Sequence, residues 1–137
     1  MEKSLVLIKP DGVERRLVGE VIKRFEQKGL RVAALKMLRA DAAMSKNHYY
    51  EHAEKSFYPE LEEFITSGPI VAMIIEGANA IKVIRLMVGA TNSAEALPGT
   101  IRGDLSLFKQ QNIIHASDSP ESAEREINNF FNSSEIF

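Results

Sequence analysis

The chain has 137 residues, of which 45% are hydrophobic and 26% are charged. This length suits one compact domain, and the composition is too apolar for a disordered protein. The 17 basic and 19 acidic residues leave a net charge of -2, which excludes a general attraction to nucleic acid or to anionic membranes. With no cysteine, disulfide and thiolate chemistry are excluded. We therefore expect a single domain over residues 1–137, in the cytoplasm, without a membrane or an obligate nucleic-acid partner.

The first quarter of the chain predicts a strand, a turn, a helix and a second strand. Ser4–Ile8 is short and apolar and ends at Lys9–Gly12, where proline lacks a ladder donor and glycine tolerates positive φ. Apolar residues recur at helical spacing from Leu17 to Phe25, and Gly29 is a suitable C-cap. Arg31–Leu38 then has the length and composition of a strand.

The middle of the chain predicts two helices, a buried strand and a third helix. The two helices cover about 44–52 and 58–67. Ile70–Ile75 is a continuous apolar run of strand length, which is typical of a strand buried on both faces. Asn79 is a good N-cap for an apolar helix that reaches Gly89.

The last third begins with an irregular stretch. Periodicity fails from Thr91 to Gln111, and long loops of this kind are commonly functional. Asn112–Ile114 is predicted as a short strand. Ser119 is the expected N-cap of a final helix that begins at Pro120 and reaches Phe131.

The order of these elements predicts the fold class. Two strand-helix-strand halves follow one another, with extra helices inserted between the second and third strands. This order favours an α+β, ferredoxin-like βαββαβ fold. We expect a four-stranded antiparallel sheet with helices on one face and additional helices elsewhere.

His115 is a candidate nucleophile, because it lies where the last predicted strand meets a polar turn. An unperturbed pKa near 6.5 leaves roughly three-quarters of such imidazoles neutral at pH 7. Ser117 and Asp118 follow closely, and Glu126 on the last helix could fix the ring's tautomer. The alternatives are a histidine hydrogen-bonded at a strand end and a Glu126 that lies on a solvated helix face.

Three cationic residues are candidates for phosphate binding. Lys9 closes the first strand, Arg85 interrupts an apolar helical pattern, and Arg102 lies in the irregular stretch. The planar fork of arginine suits bidentate phosphate contacts. The alternatives are a lysine on a sheet edge and arginines in surface ion pairs. The nucleotide-binding P-loop pattern GxxxxGK[ST] is absent.

A competing pattern is H-x-x-E-H, formed by His48, Glu51 and His52. On one helix, histidines at i and i+4 share a face, as in zinc peptidases. No third ligand is evident, and short patterns arise by chance. Two surface histidines are therefore the preferred interpretation over a zinc hydrolase.

The motifs, taken together in their order along the chain, are more informative about the family than any single motif. From Leu7 to Phe131 the sequence resembles the nucleoside diphosphate kinase family, through IKPDGVERRLVGEVIKRFEQKGL, HYYEH, SGPIVAMIIEG, GATN, PGTIRGD and NIIHASDSPESAEREINNFF. The combination of NIIHxSDS with PGTIRGD is highly specific. The resemblance implies a ferredoxin-like enzyme that moves the γ-phosphoryl group of a nucleoside triphosphate, such as ATP, to a nucleoside diphosphate. The transfer is ping-pong, passes through a phosphohistidine on His115, and has broad base specificity.

The resemblance also assigns roles to individual positions. Residues matching the nucleotide-contacting set are Lys9, Tyr49, Arg85, Thr91, Arg102 and Asn112, with Lys9 and Tyr49 also in the catalytic set. Phe57 and Leu61 match the apolar wall beside the base, and Lys109 stands where a small apolar residue often faces it. Ser117 and Glu126 match the pair that orients the histidine. Mg²⁺ is expected to arrive on the nucleotide phosphates near Asp118, without a metal site built by the protein.

The family also forms homo-tetramers or homo-hexamers from a common dimer, so a homo-oligomer is expected. The chain departs from the family pattern in several places. Ala116 and Arg16 replace glycines, Lys109 replaces a small apolar residue, and Gln110-Gln111 replaces Gly-Arg. Ala116 and Lys109 motivate an alternative, a nucleotide-binding regulatory protein of the same fold with impaired transfer.

Overall fold

A computed structural model describes residues 1–137 as one α+β structure with four strands and seven helices. The strands are β1 (Glu2–Ile8), β2 (Arg31–Leu38), β3 (Ile70–Gly77) and β4 (Ile114–Ala116). The helices are α1 (Pro10–Glu14), α2 (Val18–Lys28), α3 (Ala42–His48), α4 (Tyr58–Ile65), α5 (Ala80–Val88), α6 (Ile101–Leu105) and α7 (Pro120–Phe130). Single 3-10 turns cover Ser93–Glu95 and Ser133–Glu135.

The four strands form one sheet in the order β2-β3-β1-β4, and every neighbouring pair is antiparallel. Strand β1 is interior, with Leu5 opposite Ile74 of β3 and Leu7 opposite His115 of β4. The pairing of β2 with β3 contains one irregularity, between Val32 and Ala34. The four-stranded antiparallel sheet is as predicted, and the structure adds that β4, which carries His115, is an edge strand next to β1.

Both faces of the sheet are covered, because successive side chains of a strand point to opposite faces. One face carries Val6, Ile8, Met73 and Ile75, which pack with Val21 and Phe25 of α2 and Ile84 of α5. The other carries Leu5, Leu7, Ala72 and Ile74, which pack with Ile65 of α4 and Phe130 of α7. Each large apolar side chain buried in this way contributes about 1.5–3 kcal/mol. The two layers explain why Leu5–Ile8 of β1 and Ile70–Ile75 of β3 are continuously apolar.

Two expected irregular segments contain short helices. The turn predicted at Lys9–Gly12 is the start of α1, with Pro10 at the first helical position, where a missing N–H costs nothing. Within residues 91–111, Thr100 caps α6 by accepting the N–H of Gly103 at 3.0 Å. A helix of one or two turns is too short to produce a detectable hydrophobic period, so the sequence does not reveal it.

Two of the three predicted helix caps are present in the structure. Gly29 ends α2 in the left-handed conformation, and the Ser119 hydroxyl accepts the Ser122 N–H at the start of α7, both as predicted. Asn79 does not cap α5 through its side chain; it adopts φ 54°, and the Glu2 carboxylate accepts the Ile81 N–H instead. A residue 79 positions away replaces the local cap, which local sequence does not show.

Candidate active site

His115 lies in the middle of β4, and its ring is partly exposed. The prediction that the strand covers Asn112–Ile114 and ends before His115 is wrong by two residues. The shift arises because Ile113 adopts φ 62°, which is incompatible with a strand, so pairing with β1 begins at Ile114. The backbone that carries the imidazole is therefore fixed by the sheet.

One nitrogen of His115 is held by a buried carboxylate. Nε2 of His115 lies 3.0 Å from Oε1 of Glu126, and the Ser117 hydroxyl donates to the same oxygen at 2.7 Å. Ser117 also accepts the backbone N–H of Leu5 at 3.0 Å, which ties the pair to β1. Glu126 is only 4% exposed, so the interpretation as a solvated helix-face charge is wrong. Because an ionised carboxylate only accepts, this arrangement assigns the proton to Nε2 and leaves Nδ1 with its lone pair.

Lys9 directly follows β1, the strand that pairs with β4. Its ammonium donates to Oδ1 of Asn112 at 2.8 Å, and its backbone N–H donates to the Ile113 carbonyl at 2.8 Å. Burial lowers the pKa of Lys9 to about 8, and the positive charge of Arg102 acts in the same direction. Lys9 follows an interior strand, so the edge-lysine alternative is wrong.

Arg102 and Arg85 bind backbone carbonyls around the same loop. The guanidinium of Arg102, on α6, donates to the carbonyls of Ile114 at 2.6 Å, Gly89 at 3.2 Å and Asn112 at 3.4 Å. Arg85 donates to the Ala116 carbonyl at 3.2 Å. Burial, with the charge of Arg85, lowers the pKa of Arg102 to about 10. Neither arginine pairs with a carboxylate, so their charges remain available to an anionic ligand.

A strained turn precedes His115. The Ile114 N–H donates to the Asn112 carbonyl at 2.8 Å, which closes a γ-turn around Ile113. The side-chain amide of Asn112 donates to the carbonyls of Thr91 and Lys109, both at 3.0 Å. A β-branched residue at positive φ is a genuine outlier, and such strain persists where the surroundings enforce it, commonly at functional sites.

A cavity of about 320 Å³ opens beside Lys9 and Tyr49, and Leu61 and Phe64 form part of its apolar wall. Burial raises the pKa of Tyr49 to about 12, so its hydroxyl stays protonated and can donate to an anion. The remaining predicted contact positions are at the surface: Phe57, Arg85, Thr91 and Lys109 are exposed. Of the predicted contact residues, this cavity brings together Lys9, Tyr49 and Leu61, and Glu60 and Glu63 also line it, whereas His115 lines a separate cavity.

Comparison with known proteins identifies the family. The profile of the family described as Nucleoside diphosphate kinase matches residues 2–136. The chain belongs to the nucleoside diphosphate kinase family. A nucleoside diphosphate kinase of Archaeoglobus fulgidus is 61% identical over 136 residues, which cover 99% of this chain and 90% of that protein.

Solved structures of nucleoside diphosphate kinases have the same fold. The enzyme of Halobacterium salinarum in complex with CDP superposes with a TM-score of 0.96 at 44% identity, over 99% of this chain and 91% of that one. A transition-state mimic from Borrelia burgdorferi, with bound vanadate and ADP, gives 0.92 at 39% identity, over 99% and 90%. The predicted family, enzyme class and ferredoxin-like fold are confirmed.

Membership of the nucleoside diphosphate kinase family implies that a divalent metal ion takes part in catalysis. The one cluster of three potential ligands is His48, His115 and Glu126, whose ligand atoms lie within 4.8 Å of one another. Its two nitrogens do not suit a cation that prefers oxygen. Asp118 shares a cavity of about 170 Å³ with His115, and hydrogen bonds from Ser122 and Ser119 lower the pKa of its carboxyl. A single carboxylate fits a metal held mainly by nucleotide phosphates.

The H-x-x-E-H pattern does not form a zinc site. Helix α3 ends at His48, and residues 49–57 form turns, so the i and i+4 positions do not share a helix face. His48 is buried against His115, with ring centroids 4.4 Å apart, whereas His52 is partly exposed against Phe57. The interpretation as two surface histidines is therefore wrong for His48, which packs against His115.

Two substitutions relative to the nucleoside diphosphate kinase pattern have different structural consequences. Ala116 is in β4 and does not adopt positive φ, so a glycine is not required there by the backbone. Arg16 adopts φ 62°, a conformation that glycine adopts without strain.

None of the helices has the length and apolar character that a membrane span needs.

Sequence reasoning missed two residues of the site, Asp11 and Ile113. The Asp11 carboxylate accepts the N–H of Ile113 at 3.0 Å, which holds the γ-turn from the side of α1. The quoted KPDG and NIIH motifs contain both residues, but nothing in either motif shows that they touch.

Proposed function

We propose that this kinase transfers the γ-phosphoryl group of a nucleoside triphosphate to a nucleoside diphosphate by a ping-pong mechanism through Nδ1 of His115. The observation that carries the proposal is the bond of Nε2 to Glu126, because it leaves the other nitrogen as the nucleophile. Nδ1 attacks phosphorus in line as the bond to the leaving β-phosphate oxygen breaks. The phosphohistidine then passes the same group to an incoming nucleoside diphosphate.

The cations around His115 suit the charge of a phosphoryl transition state. Negative charge spreads over three equatorial oxygens, so catalysis is mostly positioning and electrostatic stabilisation. Arg85, Arg102 and Lys9 are held by carbonyl and amide oxygens of the surrounding backbone and of Asn112. Tyr49 adds a hydroxyl donor from the cavity wall. Losing one such group costs on the order of 10²- to 10³-fold in comparable sites.

The same cleft serves donor and acceptor with little discrimination between bases. We propose that Phe57, Leu61 and the alkyl stem of Lys109 offer apolar surface for a base, and stacking on such a surface distinguishes bases poorly. Asn112 binds the Lys9 ammonium and the Thr91 carbonyl, and we propose that Thr91 and Asn112 contact the nucleotide. We therefore propose broad base specificity and a role in balancing nucleoside triphosphate pools.

We propose Mg²⁺ as the metal, carried by the nucleotide phosphates with Asp118 as the one nearby carboxylate. When bound, Mg²⁺ supplies charge neutralisation at the β- and γ-phosphate oxygens. The protein's part is the geometry: Ser117 and Glu126 hold the imidazole while the cationic side chains hold the phosphates.

The test is a brief incubation with γ-labelled ATP and Mg²⁺ without an acceptor. We expect acid-labile label on the protein, its discharge by GDP, and loss of both in His115→Ala with ADP binding retained. Unchanged label in His115→Ala would contradict the mechanism. Absence of label on the unmodified protein, with ADP still bound, would favour the regulatory alternative.

We further propose a homo-oligomer, without choosing between tetramer and hexamer, in which β2 contributes to the interface. Strand β2 is a sheet edge, and Leu35 and Met37 on it are 52% and 61% exposed. An exposed apolar edge strand is a template for pairing with another copy. Light scattering should give a mass of several subunits, and Leu35→Lys combined with Met37→Lys should lower it. We also propose that residues 1–137 form one catalytic domain in each subunit. We propose the cytoplasm as the location of the enzyme.

A further inference from the structure

His48 is a buried group that the mechanism above does not use. It is the last residue of α3, and it is 6% exposed. Two side chains of α7 bind backbone carbonyls of α3: Arg125 donates to Asn47 at 2.6 Å and Asn129 donates to Met44 at 3.0 Å. The Asn47 carbonyl is among the last of the helix, which have no partner within it, and the two bonds together fix the position of His48 relative to α7.

The ring of His48 meets the ring of His115 edge to face. The centroids are 4.4 Å apart and the planes are at 81°. Tyr49 and Phe130 enclose the same ring, with centroids at 4.7 and 5.7 Å. Nδ1 of His48 is buried and makes no hydrogen bond. His48 thus contacts these neighbours through van der Waals packing of its flat ring.

Burial of His48 also disfavours its charged form. It lowers the pKa of His48 well below the ordinary value, and the charges of His115, Lys9 and Arg125 act in the same direction. A neutral His48 ring contacts His115 without adding a charge to the site. Its contribution therefore comes from shape.

Glu126 by itself does not define the orientation of the nucleophile. With the backbone fixed in β4, one hydrogen bond at Nε2 holds that nitrogen but still permits the imidazole plane to tilt by rotation about the Cα–Cβ and Cβ–Cγ bonds. A second contact on the ring removes this rotation. In-line attack needs aligned orbitals, and a 1 Å misplacement costs on the order of 10²-fold in rate.

We propose that His48 is a positioning residue that fixes the plane of the His115 imidazole, so that Nδ1 stays directed at phosphorus. This inference rests on the proposed function. It assigns α3 and α7 a joint task, because α7 supplies both Glu126, which bonds His115, and Phe130, which contacts His48. The shape of the ring, and not its nitrogen atoms, performs this task.

The experiment compares His48→Gln, which lacks a flat ring, with His48→Phe, which retains one. Single-turnover phosphorylation by ATP, the ADP dissociation constant and the pH profile of phosphorylation are measured for each. We expect His48→Gln to slow phosphorylation about 10- to 100-fold with ADP affinity unchanged. His48→Phe should recover to within about threefold of the unmodified enzyme, with the same pH profile. Lys46→Ala, an exposed position on the same helix, is the matched control and should change nothing.

Three results would overturn the inference. One is an unchanged rate in a folded His48→Gln, which would make the contact structural only. Another is a His48→Phe variant as slow as His48→Gln, which would mean that the nitrogen atoms matter. The third is a shifted pH profile in His48→Phe, which would indicate proton transfer by His48. Failure of the unmodified enzyme to become labelled would instead reject the proposed function.

Discussion

Asp11 and Ile113 are 102 residues apart in sequence, yet the carboxylate of Asp11 accepts the backbone N–H of Ile113 at 3.0 Å. The bond joins the first turn of α1 to the γ-turn that precedes β4. Ile113 is fully buried at positive φ, so its conformation depends on such outside contacts. The relationship explains how a strained turn is maintained next to His115.

Replacing Asp11 by alanine should destabilise the protein. The Ile113 N–H would be buried without an acceptor, at a cost of about 1–3 kcal/mol in the free energy of unfolding. Asp11→Asn keeps an acceptor oxygen and should cost less. Urea unfolding of both variants measures the difference. Equal destabilisation would show that the negative charge matters, and not the bond to Ile113.

Glu126 should affect the rate of transfer more than the affinity for nucleotide. Glu126→Ala removes the acceptor shared by Nε2 of His115 and the Ser117 hydroxyl. We expect phosphorylation by ATP to slow about 10- to 100-fold, because groups that hold a reacting imidazole have effects of this size. ADP affinity, measured by calorimetry, should remain unchanged. Glu126→Gln retains one oxygen and should be intermediate; a large loss of ADP affinity in either variant would reject this division of roles.

Arg102 should not be replaceable by lysine. Its guanidinium spans three carbonyls on two chain segments, which a lysine ammonium cannot reach in the same geometry. Arg102→Lys should lower the free energy of unfolding by about 1–3 kcal/mol and weaken ADP binding.

Arg24 provides the matched control for Arg102. It forms surface ion pairs with Glu20 and Asp104. Arg24→Lys should cost less than about 1 kcal/mol, because exposed pairs contribute little. Thermal or urea unfolding of both variants, at one ionic strength, distinguishes the two cases. A similar cost for both would contradict the importance of the Arg102 carbonyl bonds.

Lys9 should make nucleotide binding depend on pH near 8. Its pKa in the folded protein is about 8 against an ordinary 10.5, so the free enzyme loses this charge as pH rises through about 8. Bound phosphates favour the charged form, and ADP binding at pH 8 to 9 should therefore take up protons. Calorimetry in buffers of different ionisation enthalpy measures the uptake. Proton release, or no exchange, would contradict the assignment.

The same shift has a consequence for stability. Between pH 8 and about 10.5 the unfolded chain holds a proton on Lys9 that the folded chain has lost. The contribution of Lys9 to folding therefore becomes more favourable as pH rises through this window. Lys9→Met should remove this part of the pH dependence in urea unfolding curves.

Much of the fold can be predicted from the sequence, because the signals are local. The continuous apolar run of β3, the helical spacing of α2 and the Ser119-Pro120 start of α7 each act over a few residues. The motifs around His115 and Arg102 were also sufficient to predict the family. Helices α1 and α6, by contrast, have only five residues each, so no period can develop.

Local patterns and motifs are enough to predict the fold class, the family and the chemical groups available for a reaction. Long-range packing is needed to show that β4 begins at Ile114 and that Glu126 is buried against Nε2 of His115. It also separated His48 from His52 and brought His48 against His115. The physical reason is that backbone strain, burial and long-range hydrogen bonds depend on segments far apart in the chain, whereas hydrophobic periods and motifs depend on neighbours.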